Sequence, residues 1–331
     1  MILTRTPFRI SFFGGGTDYP EWYGKHSGAV LAAAINKYCY ISCRRLPPFF
    51  EHKHRIVYSK IENVNHYSEI AHPAVRSILG RQSVEYGLEI HHDGDLPARS
   101  GLGSSSSFVV GLIHALDALQ RRALTKKELA MDAINVEQKV MGENVGSQDQ
   151  VSAAYGGFNK IRFNMDESIS VDPVILSVEK LHLLESSVML FYTGISRFAS
   201  EVAKEKIDNL NDRELELKRL FEMVDEGIKI LIDSASPIEN FGRLLDEGWQ
   251  CKKALSSQVT SPLIDQAYDA ALGAGAYGGK ILGAGGGGFL MFIVPQNAQA
   301  KVREALKNMV CVPIKFDYSG SQVVVFEPDG F

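Results

Sequence analysis

Ser100 to Phe108 reads SGLGSSSSF, five serines and two glycines set directly ahead of a strongly apolar run. Three roles compete for so small a segment: a flexible linker, a helix cap, or a cradle for an anion. A linker is a poor match, because Phe108, Leu112, Ala115, Leu116 and Leu119 recur at spacings of three and four and predict a buried helix with no boundary before it. A cap needs only one serine, worth about 1 kcal/mol. A cradle needs several N–H donors converging on a small space, which glycine permits because it has no side chain and adopts positive φ. A helix start adds unpaired N–H groups and roughly half a positive charge. PARSGLGSSSSF supplies both, with Gly101 and Gly103 shaping the loop and Ser104 to Ser107 opening the helix. The spacing favours phosphate binding, with a mere cap as the alternative. No G-x-x-x-x-G-K-[ST], no G-x-G-x-x-G opening a βαβ unit and no H-R-D or D-F-G set is present, which disfavours P-loop, Rossmann and protein-kinase classes.

Upstream, residues 1 to about 95 read as short strands: Arg9 to Phe13, Gly28 to Arg44 and Leu88 to His92 are rich in Val, Ile, Phe and Tyr between turn signals. Downstream, Thr125 and Glu128 form a T-x-x-E capping box for a second helix, ended by Gly142 and Gly146. A short helix is expected from Ser147, then a strand in GGFNKIRF. Asn164 to about Ser187 is turn-rich, followed by strand VMLFYTG and a long charged helix, Ser200 to about Asp233. Helices over 237–255, 262–273 and 298–309 follow, with strands KILGAGGGGFLMFIV, VCVPIKF and QVVVFE. This pattern predicts an α+β protein, helices on antiparallel sheet, in two domains spanning 1–180 and 181–331.

The chain has 331 residues, 45% of them apolar and 22% charged, which fits a folded protein throughout. Thirty-five basic against 39 acidic residues give a net charge of -4, and without a long basic block nucleic acid is not expected as a partner. Four cysteines without a CxxC pair read as buried thiols of a reducing compartment. His52, His54, His91 and His92 lack a third ligand at suitable spacing, so no transition-metal site is expected. No stretch reaches 18 unbroken apolar residues and no leader is seen, so a cytoplasmic protein without a membrane partner is expected, as a monomer or homodimer.

Two further glycine clusters stand at strand ends: Gly14-Gly15-Gly16 after RISFF, and GAGGGG from Gly283 to Gly288. Each alone could be a hairpin turn or bulge. Taken together, TPFRISFFGGGTDY (Thr6 to Tyr19), PARSGLGSSSS (Pro97 to Ser107) and KILGAGGGG (Lys280 to Gly288) resemble, in order and spacing, the three motifs of the GHMP kinases, the superfamily of galactokinase, homoserine kinase, mevalonate kinase and phosphomevalonate kinase. The resemblance implies a two-domain fold, ribosomal protein S5 domain 2-like at the N-terminus and a ferredoxin-like α/β sandwich at the C-terminus. It also implies an ATP- and Mg²⁺-dependent kinase of a small molecule. Within the superfamily, RISFFGGGTDYPEWY and YTGISRFASEVAKEK look most like D-glycero-D-manno-heptose 7-phosphate kinases, which phosphorylate the anomeric hydroxyl of a sugar phosphate for nucleotide-activated heptose and surface-polysaccharide synthesis. Galactokinases usually carry Gly-Glu-His-Thr-Asp-Tyr where this chain has Gly14-Gly15-Gly16-Thr17-Asp18-Tyr19. An anomeric kinase of a neutral sugar, fucokinase- or galactokinase-like, and a non-catalytic sugar sensor are the alternatives.

The resemblance also implies roles. Asp149 in GSQDQ matches the catalytic aspartate, although an Asp in a first helical turn also stabilises that turn through the dipole. Arg9 matches the basic position that pairs with Asp149 or the transferring phosphate. Pro97, Arg99, Ser100, Gly101, Leu102, Gly103, Ser104, Ser105, Ser106 and Ser107 match the ATP loop, and Ser105 with Glu137 matches the Mg²⁺ ligands. Gly14, Gly15, Gly16, Thr17 and Asp18 match the sugar loop, Gly285 and Gly286 the closing loop, and Arg197 is a candidate grip for a sugar phosphate.

Overall fold

The computed structural model describes residues 1–82, 84–195, 205, 207 and 210–329. β1 (Ile2–Phe13) and β2 (Gly28–Arg45) form the spine of a first sheet, antiparallel from Ile2 opposite Cys43 to Phe13 opposite Leu31. β1 runs 12 residues, well beyond the expected Arg9 to Phe13, while β2, at 18 residues, has nearly the expected extent of Gly28 to Arg44. Residues 6–13 of β1 and 28–35 of β2 are buried on both faces, while the stretch 39–44 alternates buried with more exposed positions. β2 uses its length twice: Gly28–Ala33 pairs with β6 (Phe158–Phe163), and Cys39–Arg45 pairs with β5 (Leu88–Gly94). β3 (His54–Val57) joins β5 in parallel and carries β4 (Ile61–Val64), while β7 (Ile169–Pro173) joins β6. The stretch expected to be turn-rich thus holds β7 and a helix, Val178–Ser187, whose N-cap Ser177 accepts from the Lys180 N–H.

A second sheet has the order β11 (Val310–Val312), β8 (Val188–Tyr192), β10 (Phe289–Ile293), β9 (Gly278–Ile281), all antiparallel. KILGAGGGGFLMFIV is therefore a hairpin and not one strand. Positive φ at Gly283, Gly285, Gly286 and Gly288 turns the chain between β9 and β10. The last strand, β12 (Gln322–Phe326), returns to the first sheet and pairs with Ile2–Arg5 of β1. Sheet membership consequently does not follow a division of the chain at residue 180: the outer edge of β1 needs a partner for its N–H and C=O groups, and the chain end supplies it.

The helix Ser104–Leu119 lies across β1 and β2. Its approach depends on Gly111, where a Cβ would come within 2.9 Å of Thr6 Oγ1. The expected Thr125–Glu128 capping box is formed and starts the helix Lys126–Asn135, which continues as a π-helical turn over Val136–Val140. The helices Glu214–Ile232 and Ile238–Leu255 pack on each other and reach β1. Phe241 meets Phe12 and Phe13 edge-on, at 5.4 and 5.1 Å between ring centres, so the two sheets share one apolar seam. Among the described residues no helix is long and apolar enough to cross a membrane, and no group of three metal-ligating side chains stands together. The expected charged helix over 200–233 is described only from Glu214, and Arg197 lies outside the described residues.

Candidate active site

The serine run turns out to be fully employed. Gly101 and Gly103 have φ of 81° and 76°, and Gly103 caps the helix from the left-handed region. The first bond of the helix runs from the Ser107 N–H to the Gly103 carbonyl, leaving the N–H groups of Ser104, Ser105 and Ser106 ahead of it. The hydroxyls have separate duties. Ser104 Oγ accepts from the Arg99 N–H, Ser107 Oγ donates to the Pro7 carbonyl, and Ser105 and Ser106 both donate to Glu137. Four serines are thus explained without assigning any hydroxyl to capping: the helix start itself presents backbone donors, and the side chains hold it in place.

Arg9 and Asp149 meet beside this loop. Arg9, 3% exposed, donates from Nε and Nη2 to the two Asp149 oxygens at 2.7 and 2.9 Å, and from Nη1 to the Gly101 carbonyl at 2.7 Å. One guanidinium therefore fixes the carboxylate and the phosphate-type loop together. Asp149 sits in the first turn of the helix Gln148–Tyr155, its side chain 25% exposed. Gly103 lies directly against it, since a Cβ there would be 3.3 Å from Asp149 Oδ2.

Glu137 rides on the π-helical turn, a widening that often marks functional positions. It is 1% exposed, accepting from Ser105 at 3.2 Å, Ser106 at 2.7 Å and the Gln150 amide. Burial pushes its carboxyl up to about 7, against the lowering effect of those donors. Ser105 is itself exposed, so one hydroxyl and one carboxylate oxygen stand together at the mouth of the loop. That pair of hard oxygens fits a Mg²⁺ ion, which needs one or two protein ligands and keeps its waters.

On the other side of Asp149, Thr17 braces the glycine turn: its hydroxyl, within reach of the carbonyls of Gly14 and Ala29 at 2.8 and 2.9 Å, shares its one proton between them and accepts from the Ala29 N–H. Gly14 must be glycine, with φ of 82° and a notional Cβ only 1.9 Å from the Ala29 carbonyl oxygen. Asp18 is buried; it accepts from the Gly16 N–H and from Gln148 Nε2, both at 2.9 Å. Burial raises its pKa, the Gly16 N–H opposes the rise, and the nearby Asp149 charge adds to it. Gly15 and Gly16 are half-buried, Gly16 against Leu217 and Leu255 and Gly15 beside Ser11 and Gln148.

The hairpin loop Leu282–Gly288 closes on the serine loop backbone to backbone. The Phe289 N–H donates to the Ser100 carbonyl, and a Cβ on Gly283 would lie 2.6 Å from Gly101 Cα. Gly285 and Gly286 face Val259 instead, the Gly286 N–H donating to its carbonyl. Buried Lys252 donates to the carbonyls of Ile281 and Gly283, and buried Lys280 reaches the Phe12 carbonyl. Leu102 is buried, and Pro97 and Arg99 are exposed at the loop's entry. Sequence reasoning singled out neither Lys252 nor the Ser11, Gln148 and Gln150 side chains that line the same region. Mid-element polar residues carry no spacing signal; only Gln148 and Gln150, flanking Asp149, offered a hint. An open groove of about 790 Å³, beside Val178, Leu183, Ile238 and Tyr277, shares no residue with this cluster.

The arrangement brings glycine-rich backbone, a helix start, a carboxylate held by an arginine and a pair of hard oxygens to one place. The family model described as GHMP kinases N terminal domain matches residues 66–157, and that described as GHMP kinases C terminal matches 231–310. The D-glycero-alpha-D-manno-heptose 7-phosphate kinase of Campylobacter jejuni is 30% identical over 325 residues, 93% of each chain. The chain is a GHMP kinase. The crystal structure of a D-glycero-D-manno-heptose 1-phosphate kinase from Bacteroides thetaiotaomicron superposes with a TM-score of 0.79 at 25% identity, covering 97% of this chain and 98% of that one. Lactococcus lactis galactokinase complexed with galactose shares the fold, with a TM-score of 0.74 at 19% identity over 98% and 95% of the two chains. This GHMP kinase is accordingly a sugar kinase, and enzymes of the family take ATP as phosphoryl donor.

Proposed function

We propose that the chain phosphorylates the anomeric C1 hydroxyl of D-glycero-D-manno-heptose 7-phosphate, giving the 1,7-bisphosphate, as a cytoplasmic enzyme. The observation that carries this reading is the likeness to a heptose 7-phosphate kinase, 30% identical over 93% of each chain. In this reading the N–H groups of Ser104 to Ser106 and the backbone of Gly101 and Gly103 hold the triphosphate. Asp149, held by Arg9, accepts a hydrogen bond from the C1 hydroxyl and aims its oxygen at the γ-phosphorus. The C1 oxygen forms the new P–O bond as the bond to ADP breaks, and the hydroxyl proton leaves toward Asp149.

Ser105 and Glu137 would hold Mg²⁺, which supplies positive charge to the phosphoryl oxygens. Asp18, with Gly14 to Thr17, binds hydroxyls of the sugar. Arg197 remains a candidate grip for the sugar phosphate, while Gly285 and Gly286, which face Val259, are left without a part in acceptor binding. The test is an ADP-release screen of heptose 7-phosphate against unphosphorylated hexoses, fucose and galactose included, with NMR of the product. Turnover of heptose 7-phosphate with a new phosphate on C1 is expected; preference for a neutral hexose, or a phosphate placed elsewhere, would overturn the assignment.

A further inference from the structure

Beyond Asp18 and Asp149, several buried polar atoms around this region have no partner, Ser100 Oγ and Gln150 Oε1 among them, and two of these atoms belong to side chains that flank Gly15. Ser11 and Gln148 are 5% and 9% exposed, yet Ser11 Oγ and Gln148 Oε1 make no hydrogen bond. Buried polar groups are paired in the great majority of cases, because an unpaired one forfeits its water for nothing. Gln148 Nε2 donates to Asp18 Oδ2, so the open atom of the amide is the acceptor oxygen. Ser11 stands two residues along β1 from Arg9, and Gln148 is the neighbour of Asp149, so both belong to the surroundings of the reacting carboxylate. Both side chains also flank one glycine, Ser11 through its open hydroxyl and Gln148 through the amide whose Nε2 is held by Asp18. A Cβ on Gly15 would lie 3.8 Å from Ser11 Oγ and 3.8 Å from Gln148 Nε2, with nothing nearer.

We propose that Ser11 and Gln148 are specificity-determining residues that read hydroxyls of the sugar acceptor in the space over Gly15. The proposal rests on the chain being a sugar kinase with Asp149 at the reacting hydroxyl, and it names the part of the acceptor this pocket takes. Its chemistry is acceptor-rich: Gln148 Oε1 only accepts, Asp18 is a carboxylate, and Ser11 Oγ either donates or accepts. Such a set suits neutral hydroxyls, which bring their own protons, and repels a phosphate, whose oxygens would face other acceptors. The sugar's ring or chain hydroxyls therefore lie here, and any phosphate on the acceptor lies away from it.

The test uses the full-length enzyme and whichever panel sugar the wild type turns over fastest. Ser11→Ala should raise the KM for the sugar about 5- to 10-fold, the worth of one hydrogen bond. The KM for ATP and the melting temperature should stay as in wild type. Gly15→Ala meets no atom closer than ordinary contact distance, so it should fold and melt normally while its methyl group occupies the hydroxyl's place and raises the sugar KM at least about tenfold. Among monodeoxy analogues, the one that is poor with wild type should be no poorer than the parent sugar with Ser11→Ala. An unchanged sugar KM in both variants, or ATP and sugar KM rising together with a lowered melting temperature, would overturn the subsite. If a neutral hexose proves to be the substrate, the assignment of heptose 7-phosphate falls while the same measurements on that hexose still decide the subsite; a wild type that turns over no sugar overturns both.

Discussion

Arg9→Met is the substitution on which the geometry speaks most directly. It keeps the apolar stem of the arginine but removes three donated bonds, two to Asp149 at 2.7 and 2.9 Å and one to the Gly101 carbonyl at 2.7 Å. Hydrogen bonds to charged groups are worth about 1.5–3 kcal/mol each. A quarter of the Asp149 side chain is open to water, which replaces part of that loss. The cost should therefore fall between that of an exposed pair, about 0–1 kcal/mol, and that of a broken buried pair, about 3–5 kcal/mol. We expect about 3 kcal/mol from urea unfolding. Turnover should fall on the order of 100-fold, the usual penalty for a reacting group displaced by about 1 Å. A double-mutant cycle with Asp149→Asn isolates the pair. The coupling in stability should be about 2 kcal/mol, and the double variant should turn over no more slowly than the worse single variant, because the two side chains act as one unit. Additive effects, with a coupling below about 0.5 kcal/mol, would refute the idea that Arg9 works through Asp149.

Three more outcomes are expected. Asp149→Asn should collapse kcat with little change in ATP affinity; an unchanged turnover number would remove Asp149 from the chemistry. Glu137, at about 7 in the folded protein against an ordinary 4.5, binds a proton that the unfolded chain has released. Its contribution to stability is therefore present below pH 4.5 and is lost as pH rises toward 7. Mg²⁺ needs the ionised form, so the apparent Mg²⁺ affinity should weaken about tenfold per pH unit below 7 and level off above it, and a pH-independent titration would contradict the assignment. Gly288→Ala would place a methyl group 2.2 Å from the Ser100 carbonyl oxygen at a φ of 91°, so it should destabilise by about 2 kcal/mol or more and raise the KM for ATP by shifting Ser100 and Gly101.

What the sequence disclosed was whatever is local. The serine helix, the Thr125 capping box and the glycine turns are each written within a few residues, by periodicity or by residue types that only one backbone shape requires. The Arg9–Asp149 pair spans 140 residues and came from motif order and not from spacing. The extent of β1, the return of β12 to the first sheet and the hairpin of β9 and β10 depend on pairing between distant segments, which no local pattern records. Ser11, Gln148 and Lys252 escaped notice for a related reason. A polar residue inside a strand or helix looks like an exposed one until the fold buries it, and the sequence holds no sign of which fate it meets.

The central claim is that the start of the helix Ser104–Leu119 presents a nucleotide's phosphates to Asp149. A crystal structure with a non-hydrolysable ATP analogue and magnesium measures this directly. Phosphate oxygens should lie within hydrogen-bond reach of the N–H groups between Gly101 and Ser106, with the terminal phosphorus beside Asp149. A triphosphate bound elsewhere, or one whose terminal phosphate points away from Asp149, would contradict it.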